Sequence, residues 1–245
     1  MIVLFSDFGV EGPYMGQMRA VLARLAPGAA LIDLMADAPA FDPKSSSYLL
    51  ASLSPEFPAG TVFLCVVDPG VGSSRRPIVV QAGDKFFVGP DNGLFEMVLR
   101  REGGPLKAWE IVWRPERLTS SFHGRDLFAP IAARLAQGDM SGLSEIDVTK
   151  IRHQDWPDDA PVILYIDRFG NAITGLRGET MPSGTLVEAS GETLTLALTF
   201  SEREPRQAFW YINSNGLVEI AANKARASDL LALRAGDPVR KILKK

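Results

Sequence analysis

Four short stretches gather the residue types that catalysis or ligand binding needs. They are Asp7-Phe8-Gly9, Asp68-Pro69-Gly70-Val71-Gly72-Ser73-Ser74-Arg75, Pro90-Asp91-Asn92-Gly93 and Ser121-Phe122-His123-Gly124-Arg125-Asp126. A carboxylate can orient or neutralise a partner, an arginine supplies permanent positive charge, and a histidine can bind water and carry a proton. Each stretch also has a plain structural reading. Asp, Asn, Pro and Gly build strand-to-helix turns and caps, and Asp126 sits where a first-turn acid belongs. The Asp68 stretch resists that reading best. An acid ends an apolar strand, two glycines allow close backbone approach, and Arg75 follows seven residues later.

Several chemistries are excluded by what is missing. Asp7-Phe8-Gly9 lacks the Gly-rich loop, strand lysine and His-Arg-Asp loop of a kinase, and no phosphate loop or Gly-x-Ser-x-Gly elbow occurs. His123 is one of two histidines, and His153 falls in a polar stretch that predicts a solvated surface residue. With a single cysteine, no zinc-type ligand spacing exists, and no metal is expected. Taken singly, these motifs stop at an α/β enzyme whose reaction is open.

The elements that must position them have two rhythms. Short apolar runs at Ile2–Phe5, Ala30–Leu34, Thr61–Val67, Ile78–Ala82 and Lys85–Val88 alternate with helical patterns at Gly16–Leu25, Ser45–Ser54, Leu94–Arg101 and Leu127–Gln137. That alternation predicts an N-terminal α/β domain over 1–152, with a largely parallel sheet and helices on both faces. Residues 153–160 are polar and proline-bounded, which predicts a linker. Beyond it, strand-like runs at Val162–Asp167, Thr185–Ala189, Leu194–Phe200 and Phe209–Asn213 are separated by glycine-bearing turns. They predict a smaller all-β, barrel-like domain over 161–245. In open α/β sheets ligands bind beyond the carboxyl ends of strands, where Asp7 and Asp68 fall.

Composition narrows the partners. Of 245 residues, 46% are hydrophobic and 22% charged, and the net charge of −3 provides no basic footprint for nucleic acid. No apolar run approaches the ~20 residues of a membrane span, and the N-terminus lacks a secretory pattern. The lone Cys65 lies in an apolar run and reads as a buried hydrophobe. A small-molecule substrate and a cytoplasmic setting are expected.

In order along the chain, six motifs resemble one family. To the stretches above are added Ser6, Val66-Val67, Gly89, Leu127-Phe128-Ala129-Pro130, Ile166-Asp167-Arg168-Phe169-Gly170-Asn171 and Asn213-Ser214-Asn215-Gly216-Leu217-Val218-Glu219-Ile220-Ala221. The pattern resembles the S-adenosyl-L-methionine hydroxide adenosyltransferases, relatives of the fluorinating and chlorinating enzymes. The resemblance implies hydrolysis of S-adenosyl-L-methionine to adenosine and L-methionine by attack of a water-derived hydroxide on the ribose C5′. S-adenosyl-L-methionine is then the substrate, and no cofactor is implied. It also implies a homotrimer, with substrate lying between the N-terminal domain of one subunit and the C-terminal domain of the next.

By position, Asp68, Arg75 and His123 match the family's catalytic set, and Arg75 rather than the adjacent Arg76 occupies the motif place. Asp7 matches the carboxylate that holds the ribose hydroxyls, with Phe8 beside it. Asp167 and Ser214 match groups around the methionine amine and carboxylate. Phe169 and Asn171 match adenosine-side positions, Phe200 is a candidate ring for adenine, and Ala222 would contribute backbone. Pro13-Tyr14 stands where relatives often carry Asp-Tyr, and Met35–Ala38 lacks a common histidine. The sister halogenases resemble the chain less. They carry hydroxyl residues at Val71 and Gly124 and an extra loop for which 75–121 leaves no room. A non-catalytic module that binds S-adenosylmethionine or adenosine is a second alternative, and it would need no water-activating set; a related hydrolase acting on another nucleoside is a third.

Overall fold

A computed structural model describes residues 1–243 of the chain, which divides into two compact units, Met1–Asp155 and a second from Trp156 onward. No helix among the described residues is long and apolar enough to cross a membrane.

The first unit is a seven-stranded sheet. Its parallel part joins β1 (Ile2–Ser6), β2 (Leu31–Met35), β3 (Val62–Val66) and β5 (Lys85–Pro90) in the order β2-β1-β3-β5. The sheet continues antiparallel through β4 (Pro77–Ala82), β6 (Leu106–Ile111) and β7 (Leu143–Ile146). Strands β6 and β7 are only partly buried, and Lys107, Glu110, Ser144 and Glu145 interrupt them, so neither shows a continuous apolar run.

Because strand side chains alternate between faces, Ile2, Leu4, Val62, Leu64 and Val66 point one way. They share a core with Met18 and Leu22 of α1 (Tyr14–Leu25) and Ile131, Ala132 and Leu135 of α4 (Ala129–Leu135). On the other face Phe63 and Phe87 stack at 4.8 Å, and Phe87 packs on Phe95 at the start of α3 (Glu96–Arg101). Helix α2 (Pro43–Leu53) begins where Asp42 accepts a hydrogen bond from the Ser45 amide at 3.0 Å, with Pro43 in its first turn.

The second unit holds two antiparallel sheets. One orders β12 (Ala208–Ile212), β13 (Leu217–Ala222), β9 (Ala172–Arg177) and β8 (Ala160–Ile166). The other orders β11 (Glu192–Leu194), β10 (Leu186–Ala189) and β14 (Val239–Ile242). Ile163, Leu176, Val187, Leu194, Trp210, Ile220 and Val239 form one core between them. The expected strand Leu194–Phe200 is corrected. Pairing with β10 ends at Leu194, only Leu196 makes a further bridge, and Phe200–Glu202 is a 3-10 turn. Leu198 is largely exposed, so beyond Leu194 the run has no sheet face to bury it.

Candidate active site

Strands β1 and β3 are parallel neighbours with Ser6 opposite Val66. Their carboxyl ends therefore deliver Asp7 and Asp68 side by side, past the buried register. Asn92 secures this edge by donating from Nδ2 to the Val67 carbonyl at 2.9 Å. Asp91 accepts from Arg76 Nε at 2.8 Å. Pro90–Gly93 thus ties down the strand end and the arginine segment, and Arg75 and Arg76 point to different carboxylates.

Arg75 donates from Nε to Asp68 Oδ1 at 3.0 Å and from Nη2 to Asp68 Oδ2. The two side chains are only 9% and 4% exposed, so the pair is sheltered from water. Arg75 Nη2 also lies 3.0 Å from His123 Nδ1, and its guanidinium sits 5.2 Å from the centre of the Phe128 ring. The sequence-derived set of Asp68, Arg75 and His123 is one connected group. Guanidinium nitrogens only donate, so His123 Nδ1 must be the acceptor and its proton resides on Nε2. Burial pushes the His123 pKa below its ordinary value, and the charge of Arg75 pushes it further. A neutral imidazole follows.

His123 precedes a π-helical turn, Gly124–Phe128, that leads into α4. Asp126 accepts from the Thr119 amide at 3.0 Å, from Thr119 Oγ1 at 2.6 Å and from Arg125 Nε at 2.6 Å. Burial raises its pKa, but these donors outweigh it and hold the carboxyl at about 2. Asp126 therefore braces the loop that carries His123. Gly72 brings the Asp68 loop against the same segment. Its φ is +79°, and a Cβ there would lie 2.7 Å from the Ser120 carbonyl oxygen.

A cavity of about 340 Å³ opens on this group, lined by Asp7, Phe8, Tyr14, Phe41, Asp68, Val71, Phe122, His123 and Gly124 among others. Asp7 Oδ2 accepts from the Phe41 amide at 3.0 Å. Burial raises the Asp7 pKa, the Phe41 amide lowers it, and Asp68 adds a smaller upward push. Phe8, Tyr14 and Phe122 pack mutually with ring centres 5.4–5.6 Å apart, giving the cavity an aromatic wall. Tyr14 and Phe122 escaped the sequence reading as site residues, since an aromatic side chain looks the same in sequence whether it lines a cavity or a core. Among the described residues no three His, Cys, Asp or Glu side chains are placed to hold a metal ion.

Asp167, Phe169, Asn171, Phe200, Ser214 and Ala222 line a different cavity, about 970 Å³, in the second unit. Asn171 donates from its backbone amide and Nδ2 to Asp167, at 2.8 and 3.1 Å. Phe169 is 74% exposed, and Phe200 packs on Phe209 and Tyr211 at 5.2 and 5.5 Å. Ala222 is buried at the end of β13, where only its backbone can serve a ligand. Tyr211 and Glu219 also line this cavity. An acid inside the apolar run of β13 was the available signal for Glu219. His153 is half-buried, and its backbone is anchored: its amide donates to Glu96 Oε2 at 2.8 Å, and its carbonyl accepts from Arg100 at 2.8 Å.

Comparison with known proteins agrees along the chain. Residues 2–146 match the SAM hydroxide adenosyltransferase N-terminal domain, and residues 162–240 match its C-terminal domain. A Thermus thermophilus protein named (R)-S-adenosyl-L-methionine hydrolase is 38% identical, covering 98% of each chain. A Salinispora arenicola protein of the same name is 37% identical, over 96% of this chain and 95% of the relative. The crystal structure of an uncharacterised conserved protein from Thermotoga maritima is similar with a TM-score of 0.85 and 29% identity, over 98% of this chain and 99% of that one. The chain belongs to the SAM hydroxide adenosyltransferase family.

Proposed function

We infer that this protein hydrolyses S-adenosyl-L-methionine to adenosine and L-methionine. One observation carries the mechanism: Asp68, Arg75 and His123 form a connected, sheltered group, and Asp68 and His123 line the cavity to which the strand ends deliver Asp7, with Arg75 behind them. The sulfonium leaves as a neutral thioether, so departure is easy. The difficulty lies with water, whose pKa of ~15.7 makes it a poor nucleophile at neutral pH.

With Nδ1 filled by Arg75, His123 offers its Nε2 proton as a hydrogen bond to the attacking oxygen. Arg75 stabilises the negative charge that develops there. The water proton then goes to a carboxylate of the same cavity, and Asp68 is the one joined to the group. The oxygen attacks C5′ as the C5′–S bond breaks, and its alignment with that bond lowers the entropic barrier. Asp7 holds the ribose hydroxyls, while the aromatic wall with Phe8 limits other water.

In this reading Asp167 and Ser214 take the amino-acid end of the substrate, and Phe169, Asn171, Phe200 and the Ala222 backbone take the adenosine. The protein is a homotrimer, and the N-terminal cavity of one subunit and the C-terminal cavity of the next serve one substrate. Domain limits of 1–152 and 161–245, joined by 153–160, belong to the same proposal. The reaction needs no cofactor, and a cytoplasmic setting keeps the lone Cys65 reduced.

The test is incubation of purified protein with S-adenosylmethionine in ¹⁸O-labelled water, with and without chloride. Labelled adenosine plus methionine is expected. Binding without adenosine would identify a non-catalytic module. Formation of 5′-chloro-5′-deoxyadenosine would identify a halogenase, against which Val71 and Gly124 at the cavity wall stand.

A further inference from the structure

Glu219 is a buried carboxylate that the mechanism above leaves without a task. It is 4% exposed and lines the C-terminal cavity together with Asp167. Its partners are neutral: Tyr211 donates its hydroxyl to Oε1 at 2.5 Å, and Asn213 donates from Nδ2 to Oε2 at 2.8 Å. Glu96, buried equally in the first unit, is instead neutralised by Arg100 and Arg152. Among the described residues no lysine or arginine pairs with Glu219 or Asp167. Burial raises the Glu219 pKa, the Tyr211 and Asn213 hydrogen bonds lower it, and the charge of Asp167 raises it. Arg168, Lys224 and Arg226 also line the cavity, but all three are exposed on its rim. Water screens those charges far more than it screens the floor.

Two carboxylates without a cationic partner in the lining, Glu219 buried and Asp167 half-buried, and three exposed cations, of which Arg226 also pairs with Asp229 at 3.1 Å, match a ligand with positive charge inside and a carboxylate outside. A buried ionised group with only neutral donors is costly unless a cation completes it. We propose that Glu219, beside Asp167, is a specificity-determining residue that selects substrate by positive charge, favouring the sulfonium over its neutral thioether counterpart. This rests on the C-terminal cavity being the substrate's. Because the sulfonium loses its charge as the C5′–S bond breaks, Glu219 stabilises bound substrate more than the transition state.

A charge ladder tests it. S-adenosylmethionine carries ammonium and sulfonium, S-adenosylhomocysteine carries ammonium alone, and adenosine carries neither. Glu219→Gln keeps shape and removes charge. It should raise KM for S-adenosylmethionine about tenfold without lowering kcat. The inhibition constant for S-adenosylhomocysteine should rise less, and that for adenosine should stay unchanged, which also reports an intact cavity. Glu219→Asp, which retains the charge, should preserve the ladder. Equal shifts for all three ligands, or none, would overturn the assignment. So would a Glu219→Asp variant that loses the ladder as the glutamine variant does. Hydrolysis by the unaltered protein reads the proposed function separately. If that activity is present and the ladder is flat, only the role of Glu219 fails.

Discussion

His123 illustrates how much a single side chain inherits from its neighbours. A histidine before a helix is ordinarily a structural residue or a titrating one, but here the guanidinium of Arg75 fills Nδ1 and fixes the tautomer. Burial and that positive charge both lower its pKa from the ordinary imidazole value of 6.5. Since the folded-state pKa of this base is depressed, His123 stays neutral as pH falls through 6.5. The acidic limb of kcat/KM due to its protonation therefore lies below 6.5. NMR titration of the imidazole protons checks this, and Arg75→Gln should move the midpoint upward. A midpoint unmoved by that substitution would contradict the assigned contact. His123→Ala and Arg75→Ala should each lose ~10²–10³ in kcat with a smaller change in substrate affinity. Steady-state kinetics with a separate binding measurement distinguishes the two effects. The three types and their spacing were legible in the sequence, but their grouping there rested on family resemblance.

At the scale of elements, two loops bring the group together. Gly72→Ala forces a side chain into a left-handed conformation and against the Ser120 carbonyl. It should cost about 1–3 kcal/mol of stability and displace His123 relative to Asp68. Denaturant unfolding together with kcat reads both consequences, and an unchanged kcat would refute the coupling. Asp126→Asn weakens the brace on the 119–125 loop and should lower kcat with little loss of substrate binding. Its depressed pKa of about 2 gives the ionised side chain a stabilising role above the unfolded carboxylate range. That contribution is lost as pH falls from about 4 through 2, so acid unfolding of Asp126→Asn should be shallower there. Turn residues at 70–72 were readable as turns. Which backbone they would meet was not, since Ser120 is far away in sequence.

For the whole molecule, the two cavities lie in different units, and each holds only part of the matched substrate-contact set. A homotrimer that shares sites between subunits has a distinctive signature. Arg75→Ala and Asp167→Asn proteins are each expected to be nearly inactive. When dissociated and reassembled together in equal amounts, they should recover about a quarter of the native sites, because random association pairs the intact halves that often. Light scattering measures the oligomer, and activity of the mixture against each parent measures the sharing. A monomer, or a mixture no more active than its parents, would refute this arrangement.

The sequence alone determined β1 to β5 and several runs of the second unit, the α/β and all-β halves, and the positions where chemistry must sit. Those features follow from local periodicity and from the need to bury apolar runs between Ile2 and Val67. It did not disclose β6, β7, β9, β13, β14, the π-helical turn or the end of strand pairing at Leu194, because these depend on partners distant along the chain. Tertiary structure alone decided that Arg75 reaches Asp68 and His123 while Arg76 reaches Asp91. It likewise decided that Glu219 is buried among neutral donors. The reason is physical: hydrogen-bond partnership and desolvation depend on three-dimensional distance, which residue spacing constrains only within one element.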